Sequence, residues 1–205
     1  MNYKIFNNKI FVYIFFTVLS FCVRYYLFEG RESWHDEWHS IYVANPNITS
    51  AETLIRYYGD KGDQFLTEYY PSLYLFILKY VFLIFGYIDD NGRWLSLVAG
   101  TLTLPLTIYL ANVFLDIRKT FFSGIIISFN LFLIWQSLEI RAHSILVLTS
   151  IFNIIFFYKL IDKKKFSYFL IYSFSSVFLL SLWPISGVIF FGKTIFLIKK
   201  LIIEK

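Results

Sequence analysis

The sequence predicts an all-α, polytopic integral membrane protein, with about six transmembrane helices and one further helix lying in the outer interface. Three observations predict it. Of 205 residues, 58% are hydrophobic and only 16% charged, with a mean hydropathy of +0.60, whereas soluble domains carry about 25% charged residues. Seven apolar stretches, at 10–28, 71–87, 94–115, 121–136, 144–160, 166–183 and 185–198, have the lengths of bilayer-crossing or interfacial helices. The basic residues gather in a few of the links between them. This composition excludes a disordered chain, a nucleic-acid-binding tail and an ordinary cytosolic enzyme. The single cysteine, Cys22, excludes a disulfide within the chain and a cysteine metal site. Residues 1–205 read as a single membrane domain.

The first stretch follows Lys4 and Lys9, and no small-x-small cleavage site follows it, since Arg24-Tyr25-Tyr26-Leu27-Phe28-Glu29 comes next. It reads as an uncleaved anchor with a cytoplasmic N-terminus. The outer loop, 29–70, holds eight acids against three bases, so it carries −5 while the rest of the chain sums to +10. A basic balance of this kind reflects links anchored at an anionic membrane face.

Charge also fixes the direction of each stretch. If all seven cross, Lys159, Lys163, Lys164 and Lys165 fall outside, against the positive-inside bias. If 71–87 lies in the outer interface instead, Arg118-Lys119, the lysine cluster and Lys199-Lys200 become cytoplasmic together. Trp34, Trp38, Trp94, Trp135 and Trp183 then form one outer aromatic belt. The stretch 71–87 is short and carries Lys79 at its middle. Six crossings with both termini inside is the preferred arrangement; seven is the alternative.

Three polar stretches meet at the outer face under this arrangement: the 29–70 loop, Asp89-Asp90-Asn91-Gly92-Arg93, and 136–143. The densest is Trp34-His35-Asp36-Glu37-Trp38-His39. Adjacent carboxylates at a membrane interface must be hydrated, paired or bound to a cation. One of them can act as a general base, or both can cap a short interfacial helix. His35 and His39, four apart, would share a helix face as zinc ligands do. However, a metalloprotease needs Glu directly after the first histidine, where Asp36 stands, and a third ligand would have to come from Glu68 or His143. Glu139 and Arg141 interrupt two apolar runs, either as a paired loop or as groups that position a metal or a phosphate. Arg93 is a further phosphate candidate. The sequon Asn47-Ile48-Thr49 reads as a chance match.

The order of these pieces resembles the C-type polytopic glycosyltransferases. A first helix leads into Asp36-Glu37. Pro71-Ser72-Leu73-Tyr74 stands where the family shows His-Pro-Pro-Leu-Tyr. Arg93-Trp94-Leu95-Ser96 opens an Arg-Leu-Pro-Ser-like helix ending in the basic turn Arg118-Lys119. Gln136-Ser137-Leu138-Glu139-Ile140-Arg141 is similar to a Ser-Gln-Glu-Ala-Arg turn. Over residues 10–160 the chain looks like bacterial proteins similar to protein O-mannosyltransferases and to the lipid A aminoarabinose transferase. It departs from them in having Tyr69-Tyr70 before the proline, Ser72 for the second proline and Leu138 between Gln and Glu.

The resemblance implies transfer of a sugar, with inversion, from a polyprenyl-phosphate carrier to a lipid, glycan or protein hydroxyl outside a bacterial cytoplasmic membrane. It makes Asp36 the base or cation ligand, Glu37 its support and Glu139 the second outer acid. It also makes Arg93, Glu139 and Arg141 the groups around the donor phosphate. A divalent cation, Mg or Mn, would sit on Asp36 and Glu139. Family members are more than twice as long, so a further chain supplying a C-terminal half is the expected partner, with membrane lipids and no nucleic acid. The alternative is a non-enzymatic subunit or remnant with the same fold. The arrangement of crossings has a direct check. In a Cys22→Ser background, Lys164→Cys should resist an impermeant thiol reagent added to intact cells; labelling from outside would favour seven crossings.

Overall fold

The computed structural model describes residues 9–28, 30–58 and 73–203, and within these every regular element is helical. Helix α1 spans Lys9–Tyr26, α2 His35–Val43, α3 Ser50–Tyr58, α4 Leu73–Phe85 and α5 Asp89–Ala111. Then come α6 (Ile117–Ser128), α7 (Leu131–Gln136), α8 (His143–Lys163), α9 (Phe166–Leu182), a 3-10 turn at Pro184–Ser186, and α10 (Gly187–Ile203). Among them α5 and α8 are long and apolar enough to cross a membrane, while α1, α4, α9 and α10 are apolar but shorter. Less than half of either long helix is covered by protein, unlike the core helix of a soluble domain. Large apolar side chains stand exposed elsewhere too, among them Leu131, Phe132, Phe174, Val188 and Phe191.

One expected helix and the acidic loop differ in detail. The stretch 121–136 is not one helix: α6 stops at Ser128, and the Asn130 side chain accepts the Leu133 N–H at 3.0 Å to start α7. An Asn at that position competes with the helix for its own backbone and so favours a new N-terminus. The acidic loop contains two short helices, α2 and α3. Residues 59–72, with Glu68, Pro71 and Ser72, lie outside the described residues.

The direction of each helix follows from which ends meet. Phe28, just past the end of α1, packs against Trp94 in the first turns of α5, with ring centres 5.1 Å apart. Deeper along the pair, Val12 and Phe16 pack on Leu104 and Ile108, so α1 and α5 are antiparallel. The chain therefore leaves α1 and enters α5 at the same end. The α7–α8 link and the α9–α10 turn return to that end, where His143 and Trp183 rings lie 5.0 Å apart. The opposite end carries Arg118, Lys119 and the lysines around Lys164, whose left-handed backbone (φ 48°) stops α8. An acidic loop thus caps one end of the bundle and basic links the other.

One face of α5 makes this packing possible. Gly92, Ser96 and Gly100 recur every four residues, a small-residue stripe of the kind that lets helices in membranes approach closely. The α7–α8 link lies along it. A Cβ on Gly92 would stand 3.0 Å from Ile140, and one on Gly100 only 2.2 Å from the Ser137 Cβ. The link cannot back away from Gly100 without dragging Glu139 and Arg141 with it. Gly100→Ala should therefore destabilise the protein by about 1–3 kcal/mol, the range for overpacking a filled contact. Gly192→Ala, which meets nothing within 4 Å, is the control. Thermal unfolding of both variants in one detergent makes the comparison.

Candidate functional site

The shared end of the helices collects three acid–arginine pairs that join different elements. Each begins with a local rule. Trp34 is extended, and α2 starts at His35 with Asp36 and Glu37 in its first turn, where the helix dipole favours negative charge. Glu37 reaches back to accept the Trp34 N–H at 3.2 Å, the reciprocal half of a capping box. Being adjacent on a helix, Asp36 and Glu37 point about 100° apart, so only one of them can face the interior.

Glu37 is the one that does, and it is fully buried. Its Oε1 accepts the Ile140 N–H at 2.8 Å, and its Oε2 lies 3.6 Å from the Arg93 guanidinium. Arg93 is buried as well. It donates to the Arg31 carbonyl and the Ser33 hydroxyl, both at 2.9 Å, and lies 3.6 Å from Asp90. Ser33 in turn donates to Asp89 at 2.6 Å. Glu37 therefore ties α2 to α5 and to the α7–α8 link at one point. Arg93 is enclosed by protein acceptors, which sets it apart from an arginine open to a ligand.

Asp36 faces outward. Its side chain is 45% exposed and pairs with Arg141, 25% exposed, across the 105 residues that separate them. This is the open pair of the three, a carboxylate and a guanidinium held side by side at the surface. Tyr74 lies beneath it, in the electrostatic range of both Arg141 and Glu37, and burial pushes its phenol well above the usual range. Tyr74 comes from the Pro-x-Leu-Tyr motif, of which Leu73 and Tyr74 fall among the described residues. The motif's residue thus meets the turn containing Arg141.

Glu139 forms the third pair. Its Oε1 takes the Trp135 indole N–H, and Arg31 lies 3.9 Å away with its guanidinium 4.1 Å over the Trp135 ring. The carboxyl is raised above its usual range, because burial outweighs the hydrogen bond from Trp135 and the charge of Arg31. Asp36 and Glu139 are each joined to an arginine. Among the described residues no three His, Cys, Asp or Glu side chains gather as a metal group. His35 is exposed, His39 has its Nε2 buried without a partner, and Glu68 lies outside the described residues.

The structure thus brings Asp36, Glu37, Arg93, Glu139 and Arg141 to one end, as a cluster with two kinds of members. Arg31 and Ser33 belong to it, and sequence reasoning missed both. Their signal was proximity to the end of α1, which alone does not say that they face Glu139 and Arg93. Compared with family models, curated proteins and solved structures, the chain matches none.

Glu139 has a measurable signature. A carboxyl raised by folding binds its proton more tightly in the folded than in the unfolded chain. Acidification through the window above the ordinary value of about 4.3 therefore favours folding at this group. Protonation also weakens the acceptor for Trp135. The tryptophan emission should titrate with a midpoint above the ordinary glutamate value, and Glu139→Gln should remove that titration.

Proposed function

We propose that this chain is the N-terminal module of a membrane glycosyltransferase, taking a sugar from a polyprenyl-phosphate carrier and passing it to a lipid, glycan or protein hydroxyl. The observation that carries the reading is the open Asp36–Arg141 pair. It joins the two motifs that the family resemblance makes catalytic and donor-binding, although they lie far apart in the chain. The same reading places six helices across a bacterial cytoplasmic membrane, with both termini inside and α4 at the outer face. The shared end of α1 and α5, and the basic residues at the opposite end, favour that arrangement.

The chemistry suits the pair. The Asp36 carboxylate accepts the proton of the acceptor hydroxyl as that oxygen bonds to the sugar's anomeric carbon. The bond from that carbon to the carrier phosphate breaks on the opposite face, and its electrons leave with the phosphate. Arg141, one guanidinium away from the base, offsets the charge that develops there. Glu37 does not touch the reacting atoms in this scheme. It holds the main chain of Ile140, and with it Arg141, at a fixed distance from Asp36. A divalent cation on Asp36 or Glu139 would have to displace Arg141 from the first, or Trp135 and Arg31 from the second.

Asp36→Asn keeps size and removes the base. Sugar transfer from a polyprenyl-phosphate donor by membranes containing the chain, together with any C-terminal partner it requires, should fall by about 10²–10⁴-fold. Membrane insertion should be unchanged. Transfer at the original rate would favour the non-enzymatic subunit.

A further inference from the structure

Away from the acid–arginine end, α8, α9 and α10 enclose a polar cluster in an otherwise apolar region. Asn153, at the middle of α8, is fully buried. Its amide nitrogen donates to Ser175 at 2.7 Å, to Ser176 at 2.9 Å and to the Tyr172 carbonyl at 3.2 Å. These bonds join α8 to α9 and use the donor side of the carboxamide. Its oxygen is taken by the Lys193 ammonium, which reaches across from α10. Rings of Phe190, Tyr172 and Phe157 surround that ammonium at 4.6, 5.0 and 5.6 Å. Among the described residues no carboxylate lies within ion-pair distance of it.

A buried ammonium with one neutral acceptor and three ring faces is costly to desolvate, yet ring faces and a carboxamide can hold it in place. What it holds is an otherwise weakly attached helix. The backbones of α8 and α9 run side by side, whereas the closest backbone approach of α10 among the described residues is to the turn before it. Besides Lys193, Phe196 reaches α8, 5.3 Å from the Tyr158 ring and 6.3 Å from Phe157. The opposite side of α10 is bare, with Val188, Phe191, Ile195 and Ile198 exposed. The connection to α9 has the form of a pivot. Trp183 is fully extended, Pro184–Ser186 forms a single 3-10 turn, and the Ser186 hydroxyl is pinned to the Leu179 carbonyl at 3.2 Å.

We infer that α10 is a hinged panel, pivoting at 183–187 and held shut against α8 and α9 by one polar latch, the Lys193 ammonium on the Asn153 carboxamide. Apolar contact alone sets the panel weakly, because in lipid an apolar side chain loses little by exchanging a protein neighbour for an acyl chain. A polar contact differs, since lipid offers no acceptor in exchange. Releasing the latch would uncover the lateral α8–α9 face. The inference stands apart from the glycosyltransferase reading and does not need it.

Lys193→Met keeps the length and apolar reach of the side chain and removes the charge. In a Cys22→Ser background, Tyr158→Cys with Phe196→Cys should be bridged readily by a short bis-maleimide. Adding Lys193→Met should slow bridging at least fivefold. In the chain without engineered cysteines, Lys193→Met should speed hydrogen exchange of the α10 amides at least fivefold and leave those of α8 and α9 unchanged. Unchanged bridging and exchange would mean that apolar packing fixes α10. Equal acceleration in all three helices would make Lys193 a general core residue. Either result overturns the latch.

Discussion

Burying the Glu37 carboxylate is the constraint on which the acid–arginine end of this protein depends. A charge taken out of water must find its partners inside the fold, and they must arrive together. Glu37 finds them on three pieces of chain: the Trp34 N–H of its own helix start, Arg93 of α5, and the Ile140 N–H of the α7–α8 link. None of these can move alone without leaving a buried donor or acceptor empty. The side chain therefore sets the distance between α2 and the link. That distance brings Asp36 against Arg141.

The small-residue stripe on α5 acts in the same direction from the apolar side. Gly92 and Gly100 let the link lie against the helix, and the polar backbone of the link then has Glu37 to meet at its upper end. The cluster divides accordingly. Glu37 and Arg93 are enclosed and fix geometry, Glu139 is held between Trp135 and Arg31, and Asp36 with Arg141 faces outward. Of two neighbouring acids on one helix, the fold encloses one and leaves the other at the surface against Arg141. Among the described residues, the helices farther from this end are joined by side-chain amides, hydroxyls and lysines, as at Asn112–Tyr13, Asn153–Lys193 and Lys159 over Tyr109.

Much of this was legible in the sequence. Apolar stretches and their spacing predicted the helices. The acidic loop set against basic links predicted that the two ends of the bundle would differ in charge. The motif order pointed to Asp36, Glu37, Arg93, Glu139 and Arg141 as one group. Less legible was the break at Asn130 inside a stretch that reads as one apolar run, because a single capping side chain outweighs many apolar neighbours at a helix end. Gly92, Ser96 and Gly100 were visible as residues, but their meaning depends on what approaches them.

What the sequence by itself determined is local and periodic: which segments are helical, which faces are apolar, and where charge gathers. Those properties follow from neighbours within a few residues and from the cost of placing charge among apolar groups. Only the tertiary structure decided which acid meets which arginine, that Glu37 is inside and Asp36 outside, and that Arg31 and Ser33 join them. It also decided that Lys193 finds Asn153. Pairings between residues 40 to 108 positions apart depend on how the helices pack, and no local rule encodes that packing.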